Sequence, residues 1–290
     1  MQLVDFAFTR LVPPMLFVMM FGMGLSLTLA DFRRIVRYPR AVLVGLAGQL
    51  LLLPVLAFGL ILLFEPPAPV AVGGMLLAAC PGGITSNGYA FVARGDVGLS
   101  VTLTAIASVL TIATIPLIVW FALDFFSGAG DAPALPAAAV LKALVLLTAL
   151  PVALGMLVRR RFPAWAERNL DNMRRASFVL LLAIITTTTL SSLDSLAANL
   201  PAAGLLAATL NLSAMTAGYL LGRGFRLPPT QVRSVTFEVG VQNLSLAAVL
   251  AVSVLGRPDY AILAIVYALM MKLSALSLLW LWRRPAAAPA

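Results

Sequence analysis

The sequence predicts an all-α polytopic membrane protein of about nine transmembrane helices, and three observations carry that prediction. First, 61% of the 290 residues are hydrophobic and 11% are charged, against about 45–50% apolar and about 25% charged in an ordinary soluble domain. Second, a mean hydropathy of +1.02 leaves too few polar side chains to cover a water-facing exterior, so lipid must surround most of the chain. Third, apolar segments near the roughly 20 residues that a bilayer crossing needs recur from one end of the chain to the other. A single integral-membrane unit, 1–290, is the economical description.

The spans read in order as 11–29, 41–64, 70–92, 97–122, 137–158, 176–194, 202–221, 231–254 and 260–282. Before the first, MQLVDFAFTR contains Asp5 and lacks a basic n-region and a small-residue cleavage site, so no removable signal peptide is expected. Arg33, Arg34, Arg37 and Arg40 follow the first span, and Arg94 follows the third. Arg159, Arg160, Arg161, Arg168, Arg174 and Arg175 follow the fifth, and Arg223, Arg226 and Arg233 the seventh. With Arg283 and Arg284, sixteen of the 20 basic residues stand on one face. The opposite connections, including EPPAP (65–69) and GAGDAPALP (128–136), carry Glu65, Asp124, Asp131 and Asp259, with only Arg10 and Arg257 as basic residues. The positive-inside rule then puts the N-terminus outside and the C-terminus in the cytoplasm. The PAAAPA tail is expected to be disordered.

Composition also excludes chemistry. The absence of His removes imidazole metal sites, the serine–histidine triad and a histidine proton relay. Cys80 is the one cysteine, and reads as a small packing residue. The net charge of +9 needs only topology to explain it, so no nucleic-acid partner is expected, and no obligatory protein partner either. No second acidic residue lies deep in a span to pair with Glu238, so no catalytic residues are assigned and an enzyme is not expected.

Polar residues inside the spans are the informative ones. Glu238 lies in SVTFEVGVQNLSLAAVLAVSVL, where an acidic side chain near a helix centre costs about 2.5–3.5 kcal/mol on insertion scales. By itself it could be a coupling site or a protonated, interhelically bonded residue that glues helices. In ACPGGITSNGYAF (79–91), Pro81, Gly82 and Gly83 interrupt an apolar segment. Proline deletes an amide donor and glycine is a poor helix former, which predicts two half-helices joined by an unwound link. EVGVQN (238–243) repeats the theme about 156 residues after GGITSN, and both end in Asn, Asn87 and Asn243. Two interrupted spans in corresponding positions of two halves point to an inverted-repeat transporter with its site at the midplane. Unwound links expose carbonyls suited to a small cation, and the resumed helices expose amides suited to an anion. Ser86, Asn87 and Asn243 are good cap types for those resumed helices. Ser100 and Thr104, one turn apart, face the same way, and Gln49 stands alone in LAGQLLLLP.

At these residues the chain resembles the bile acid:sodium symporter family. The matching segments are FGMGLSLTLADF (21–32), GQLLLLP with Gln49, ACPGGITSN (79–87) with ARGDVGLSVTLT (93–104), and EVGVQN (238–243). The resemblance implies two inverted repeats, 1–135 with four helices and 136–290 with five, the first helix of a ten-helix pattern being absent. It implies a panel and a core, with two broken helices crossing in the core. It also implies two Na⁺ sites: one of Ser86, Asn87, Ser100, Thr104 and Glu238, the other of Gln49, Gln242, the Glu238 carboxylate and the backbone carbonyls of Val239 and Val241. The substrate would lie beside Asn243, Thr85, Asn87 and Ser245. Ile84 stands where some relatives carry a small polar residue, so bile acids are not assured.

The resulting expectation is a sodium-coupled symporter importing an organic anion, bile-acid-like or a smaller carboxylate, by alternating access. The Arg- and Ala-rich composition suggests a bacterial inner membrane. A proton-coupled or efflux carrier using Glu238 is the alternative, with a non-transporting receptor or an intramembrane enzyme more remote. Lys272 and Asp194 read as a snorkelling or paired lysine and a span-end aspartate.

Overall fold

The computed structural model describes residues 12–28, 38–126, 137–191 and 193–283, and these are helical apart from short links. Residues 1–10, motif positions 29–32, Arg33, Arg34, Arg37, the linker 128–136 with Asp131, Arg284 and the tail lie outside the described residues. So do the side chains of Ile84, Arg174, Asp194 and Arg283.

Helix α1 is Val12–Ser26, and α2 is Pro39–Phe64 with one π turn at Gly48–Leu52. That turn immediately precedes Pro54, whose missing amide leaves no regular bond to Leu50, so the ladder widens by one residue. α2 ends at Glu65, which takes a left-handed φ of 46° while its N–H bonds Ile61 O at 2.9 Å. The two prolines that follow cannot extend it. Next come α3 (Ala68–Ala79), α4 (Ile84–Val92) and α5 (Val97–Phe126). Asp96 Oδ1 caps the start of α5, accepting from Leu99 N at 3.0 Å.

α6 runs over 137–161, again with a π turn, Val145–Ala149, ahead of a proline, Pro151. α7 is Pro163–Ser191, α8 Leu193–Gly224, α9 Pro229–Gly240 and α10 Leu244–Val254. A 3-10 turn, Pro258–Ala261, leads into α11, Ile262–Arg283. In that turn Arg257 and Asp259 form a two-pronged ion pair, Nε to Oδ1 at 3.0 Å and Nη2 to Oδ2 at 2.7 Å. The carboxylate raises the Arg257 pKa further above its ordinary value.

Five described stretches are long and apolar enough to cross a membrane: Pro39–Phe64, Val97–Phe126, Ala138–Arg161, Ala198–Gly224 and Pro258–Trp282. Pro13–Ser26, Ala68–Ala79 and Leu244–Val254 are shorter apolar helices. The surface is inverted relative to a soluble protein. Leu51, Leu63, Leu117, Trp120 and Leu220 are exposed, whereas Gln49, Ser100, Thr104, Asn211 and Glu238 are buried. This is the arrangement lipid requires.

Packing separates two groups of helices. α1 lies against α6 and α7, and its backbone meets that of α6: a Cβ on Gly24 would strike Val152 O, and one on Gly155 would strike Phe21 O. Small residues at such a seam let backbones approach where the hydrophobic effect cannot drive association. α8 packs on α9 and α11, and α3 on α5, α2 and α11. Every residue of α3 from Val70 to Ala79 is buried.

Three arginines tie the basic segments to helix ends. Arg159 Nη1 donates to Leu25 O at 2.8 Å, Arg233 Nη1 to Ala93 O at 2.7 Å, and Arg40 Nη2 to Phe225 O at 3.4 Å. Each places a cation on carbonyls at or beyond a helix C-terminus, where the helix dipole is negative.

Candidate functional site

The site begins with two interruptions that meet. After α3 the chain turns extended at Cys80 (φ −69°, ψ 152°) and stays so through Gly83 (φ −90°, ψ 159°) before α4 resumes. After α9 it is extended at Val241 (φ −113°, ψ 103°) until Asn243 caps α10. The two links lie antiparallel: Gly82 bridges Gln242, Gly83 N donates to Val241 O at 3.1 Å, and Asn243 N donates to Pro81 O at 3.0 Å. Backbone groups freed by each break are thus satisfied by the other, as buried amides and carbonyls must be. The glycines are needed for closeness rather than for a special φ. A Cβ on Gly82 would strike Glu238 Oε1, and one on Gly83 would stand 3.0 Å from Gln242 O.

Beside this crossing the Glu238 carboxylate is fully buried. Ser86 Oγ donates to Oε2 at 2.8 Å, Ser100 Oγ to Oε2 at 3.0 Å and Thr104 Oγ1 to Oε1 at 2.5 Å. Asn87 Oδ1 stands 3.5 Å from Thr104 Oγ1. Elements α4, α5 and α9 therefore bring Ser86, Asn87, Ser100, Thr104 and Glu238 into one oxygen-rich cluster. The one-turn spacing of Ser100 and Thr104 is what aims both hydroxyls at the same carboxylate.

The second expected group also assembles. Gln49 Nε2, from the π turn of α2, donates to Gln242 Oε1 at 2.8 Å and to Cys80 O at 2.9 Å. Gln242 Nε2 donates to Val239 O at 2.7 Å and to Gln49 Oε1 at 3.3 Å. Gln49 is therefore paired rather than alone. Val239 O and Val241 O each accept one bond, from Gln242 Nε2 and Gly83 N, and a carbonyl oxygen has a second lone pair. Among the described residues, the bonds to the Glu238 carboxylate come from the hydroxyl cluster and none from this glutamine pair.

One local expectation is corrected. Ser86 and Asn87 do not cap the resumed helix: α4 begins at Ile84 with Gly83 in the cap position, which places both inside the first turns. Ser86 N and Oγ instead turn back onto Gly83 O at 2.9 and 2.7 Å. Glycine leads because its missing Cβ lets the link lie against Gln242. Asn243 does cap α10, its Oδ1 accepting from Leu246 N at 3.1 Å.

Thr85, Asn87, Asn243 and Ser245 line a single cavity of about 550 Å³ between α1, α4, α5, α7, α10 and α11. Its remaining wall includes Met19, Met20, Met173, Met271, Phe91 and Val101, and among the described residues no charged side chain lines it.

Sequence reasoning missed the residues that hold the second break. Asn211 Nδ2 on α8 and Tyr267 OH on α11 both donate to Gly240 O at 2.9 Å, and Ser274 Oγ donates to Asn211 Oδ1. Asn211 and Tyr267 are fully buried. Asn211 was visible as a lone amide in LAATLNLSAM, the same signal that marked Gln49. Tyr267 carries no such signal. Arg233 was read for topology alone, yet it also lies 5.6 Å from the Trp282 ring, while Phe237 stacks on Tyr89 and packs edge-on against Trp282.

Comparison with known proteins identifies the family. The model of the sodium bile acid symporter family matches residues 13–199. An uncharacterized sodium-dependent transporter of Bacillus subtilis (strain 168), YocS, is 31% identical over 239 residues, covering 81% of this chain and 71% of the relative. The protein of Oryza sativa subsp. japonica named "Probable sodium/metabolite cotransporter BASS2, chloroplastic" is 30% identical over 271 residues, 91% of this chain and 62% of its own. Human sodium/bile acid cotransporter 4 is 30% identical over 230 residues, 79% and 52% respectively. The chain thus spans half to two thirds of the length of the latter two. An apolar helical bundle, two links crossing beside a buried glutamate and a family match over most of the chain lead to one statement: this multi-pass membrane protein belongs to the sodium bile acid symporter family, whose members are sodium-dependent transporters and not enzymes.

Proposed function

We propose that the protein is a symporter that couples inward Na⁺ flow to uptake of an organic anion by alternating access. The observation that carries this reading is the Glu238 carboxylate, fully buried at the crossing and held by three hydroxyls from two other helices. The three hydroxyl oxygens stand on the carboxylate with lone pairs left for a cation, while Gly83 O and Ser100 O offer the Ser86 and Thr104 hydrogens a second acceptor, and oxygen is the ligand that hard cations take. One Na⁺ would be held by Ser86, Asn87, Ser100, Thr104 and Glu238. The other would be held by Gln49, Gln242, Glu238 and the carbonyls of Val239 and Val241, once the glutamine pair opens. Two cations sharing one carboxylate leave an excess positive charge. That charge complements an anion in the neighbouring cavity, whose described lining holds no cation.

The fold we assign to this function has nine crossings in two inverted repeats, 1–135 and 136–290, with α1, α6 and α7 as the panel and the remaining helices as the core. Each repeat contributes one broken helix, of 12 and 9 residues in the first and a 12-residue first half in the second. With the basic ends in the cytoplasm of a bacterial cell, the cavity runs inward from the crossing. Its walls come from 19–26 of α1, 85–91 of α4, 97–101 of α5 and 170–173 of α7, all on the basic-end halves. The buried α3 closes the opposite side, which supports an inward-facing state.

Thermal unfolding in detergent tests this. Na⁺ should raise the midpoint over K⁺ at equal ionic strength, by the equivalent of about 2.7 kcal/mol when Na⁺ reaches a hundred times its Kd. Glu238→Gln should lose the difference while still folding, since the amide oxygen can accept from Ser86 and Ser100 while the amide NH₂ donates to Thr104 Oγ1, whose own hydrogen has Ser100 O. Equal midpoints in Na⁺ and K⁺ across a wide concentration range, together with a pH-driven shift, would replace sodium by protons. Added to the Na⁺ background, bile acids and small carboxylates then identify the substrate.

A further inference from the structure

We propose that Met20 is a specificity-determining residue that holds the place of the transported anion on Asn243, its thioether sulfur occupying the donor that an anionic oxygen takes when substrate binds. The inference rests on the organic-anion reading above and adds a residue to it.

The argument starts from the orientation of one amide. Asn243 Oδ1 is committed to the cap of α10, accepting from Leu246 N at 3.1 Å, so Nδ2 must point the other way. Asn243 is 6% exposed and lines the cavity. Among the described residues, the acceptor its Nδ2 meets is Met20 Sδ, at 4.0 Å. A thioether is a weak acceptor, and a buried amide donor left with a weak partner is costly. A charge-assisted bond to a carboxylate, sulfonate or sulfate oxygen is roughly twice as strong as a neutral one, so such an oxygen displaces the sulfur.

Met20 is placed to be displaced. It is 1% exposed on α1, which packs with α6 and α7, whereas Asn243 begins α10 in the other group of helices. The Met20–Asn243 contact therefore joins the two groups at the cavity. Methionine, unbranched and with three rotatable bonds, can swing away without rebuilding the wall. Seating an anion on Asn243 and releasing α1 from α10 become one event. Because the anion would sit beside the cations, occupancy of either should strengthen the other.

A tethered carboxylate tests this without knowledge of the natural substrate. Met20→Glu sets an anionic oxygen where the sulfur stands, and Met20→Gln is its neutral counterpart. The readout is the Na⁺ concentration giving half-maximal thermal stabilisation, at pH 8, with K⁺ holding ionic strength and no organic anion added. Met20→Glu should lower that concentration on the order of tenfold relative to both wild type and Met20→Gln. The gain should vanish when Asn243→Ala is added. Equal values for Met20→Glu and Met20→Gln, in a wild type that responds to Na⁺, would overturn the role of Met20 alone. A wild type with no Na⁺-specific response would overturn the sodium reading and this inference together. If Met20→Glu does not fold, the shorter pair Met20→Asp and Met20→Asn reads the same difference, and equality there overturns the proposal.

Discussion

The two unwound links touch each other, yet they are built on different principles. The first, Cys80–Gly83, is broken by its own composition: Pro81 has no amide to give and Gly82 and Gly83 have no side chains to crowd the crossing. The second, Val241–Asn243, has no proline, and its only nearby glycine, Gly240, still belongs to α9. It stays open because partners from elsewhere take its backbone groups. Asn211 and Tyr267 hold Gly240 O, Gly83 N holds Val241 O, and Gln242 folds back on Val239 O. One break is a property of local sequence and the other of the surrounding structure. A transporter gains from that asymmetry, since the externally supported link can respond to what happens around it.

Substitutions can break or sharpen the contrast. The largest effect is expected from Gly82→Ala. Its Cβ would strike Glu238 Oε1, so the variant should lose all Na⁺-dependent stabilisation and about 1–3 kcal/mol of stability, the usual range for overpacking, both read by thermal unfolding in Na⁺ and K⁺. Asn211→Leu comes next. It removes one of two donors from a buried carbonyl and leaves Ser274 with only Met271 O to accept its hydrogen, a loss of about 1–3 kcal/mol that should weaken Na⁺ affinity through the second link. Asn243→Ala should cost about 0.5–2 kcal/mol as a lost cap and, in uptake assays, impair substrate affinity more than Na⁺ affinity. Tyr267→Phe deletes only a hydroxyl, and Asn211 remains on Gly240 O, so about 0.5–1.5 kcal/mol is expected.

Pro81→Ala should be the mildest. The bonds that hold the first link run through Pro81 O and Gly83 N, neither of which the change removes, and its midpoint should move by less than the equivalent of about 1 kcal/mol. A Pro81→Ala variant hit harder than Asn211→Leu would show that the first link depends on its proline more than the second depends on its outside partners.

Much of the site was legible for reasons visible in single residues. Glu238 stood out because an acidic side chain in hydrocarbon needs a partner, and Ser100 and Thr104 because helical spacing aims them together. Pro81, Gly82 and Gly83 announced a break through backbone chemistry alone. Asn243 as a cap followed from its short acceptor side chain, whereas Ser86 and Asn87, equally suited by type, were displaced from that role by the room that only Gly83 leaves beside Gln242. Gln49 and Gln242 came together only through the family resemblance, because they lie 193 residues apart and neither amide names its partner. Tyr267 was invisible for a related reason: an aromatic residue in an apolar helix says nothing about where its hydroxyl ends.

By itself the sequence determined that this chain lives in lipid, that its basic residues gather after alternate apolar spans, that one span is broken by Pro81, Gly82 and Gly83, and that Glu238 demands company. These follow from transfer free energies and backbone covalent chemistry, which act residue by residue. Only the tertiary structure decided that the two links pair, that three hydroxyls meet on one carboxylate, that Asn211 and Tyr267 hold the second break open, and that Met20 faces Asn243. Those depend on distances of about 3–4 Å between groups tens to hundreds of positions apart, which packing fixes and composition does not.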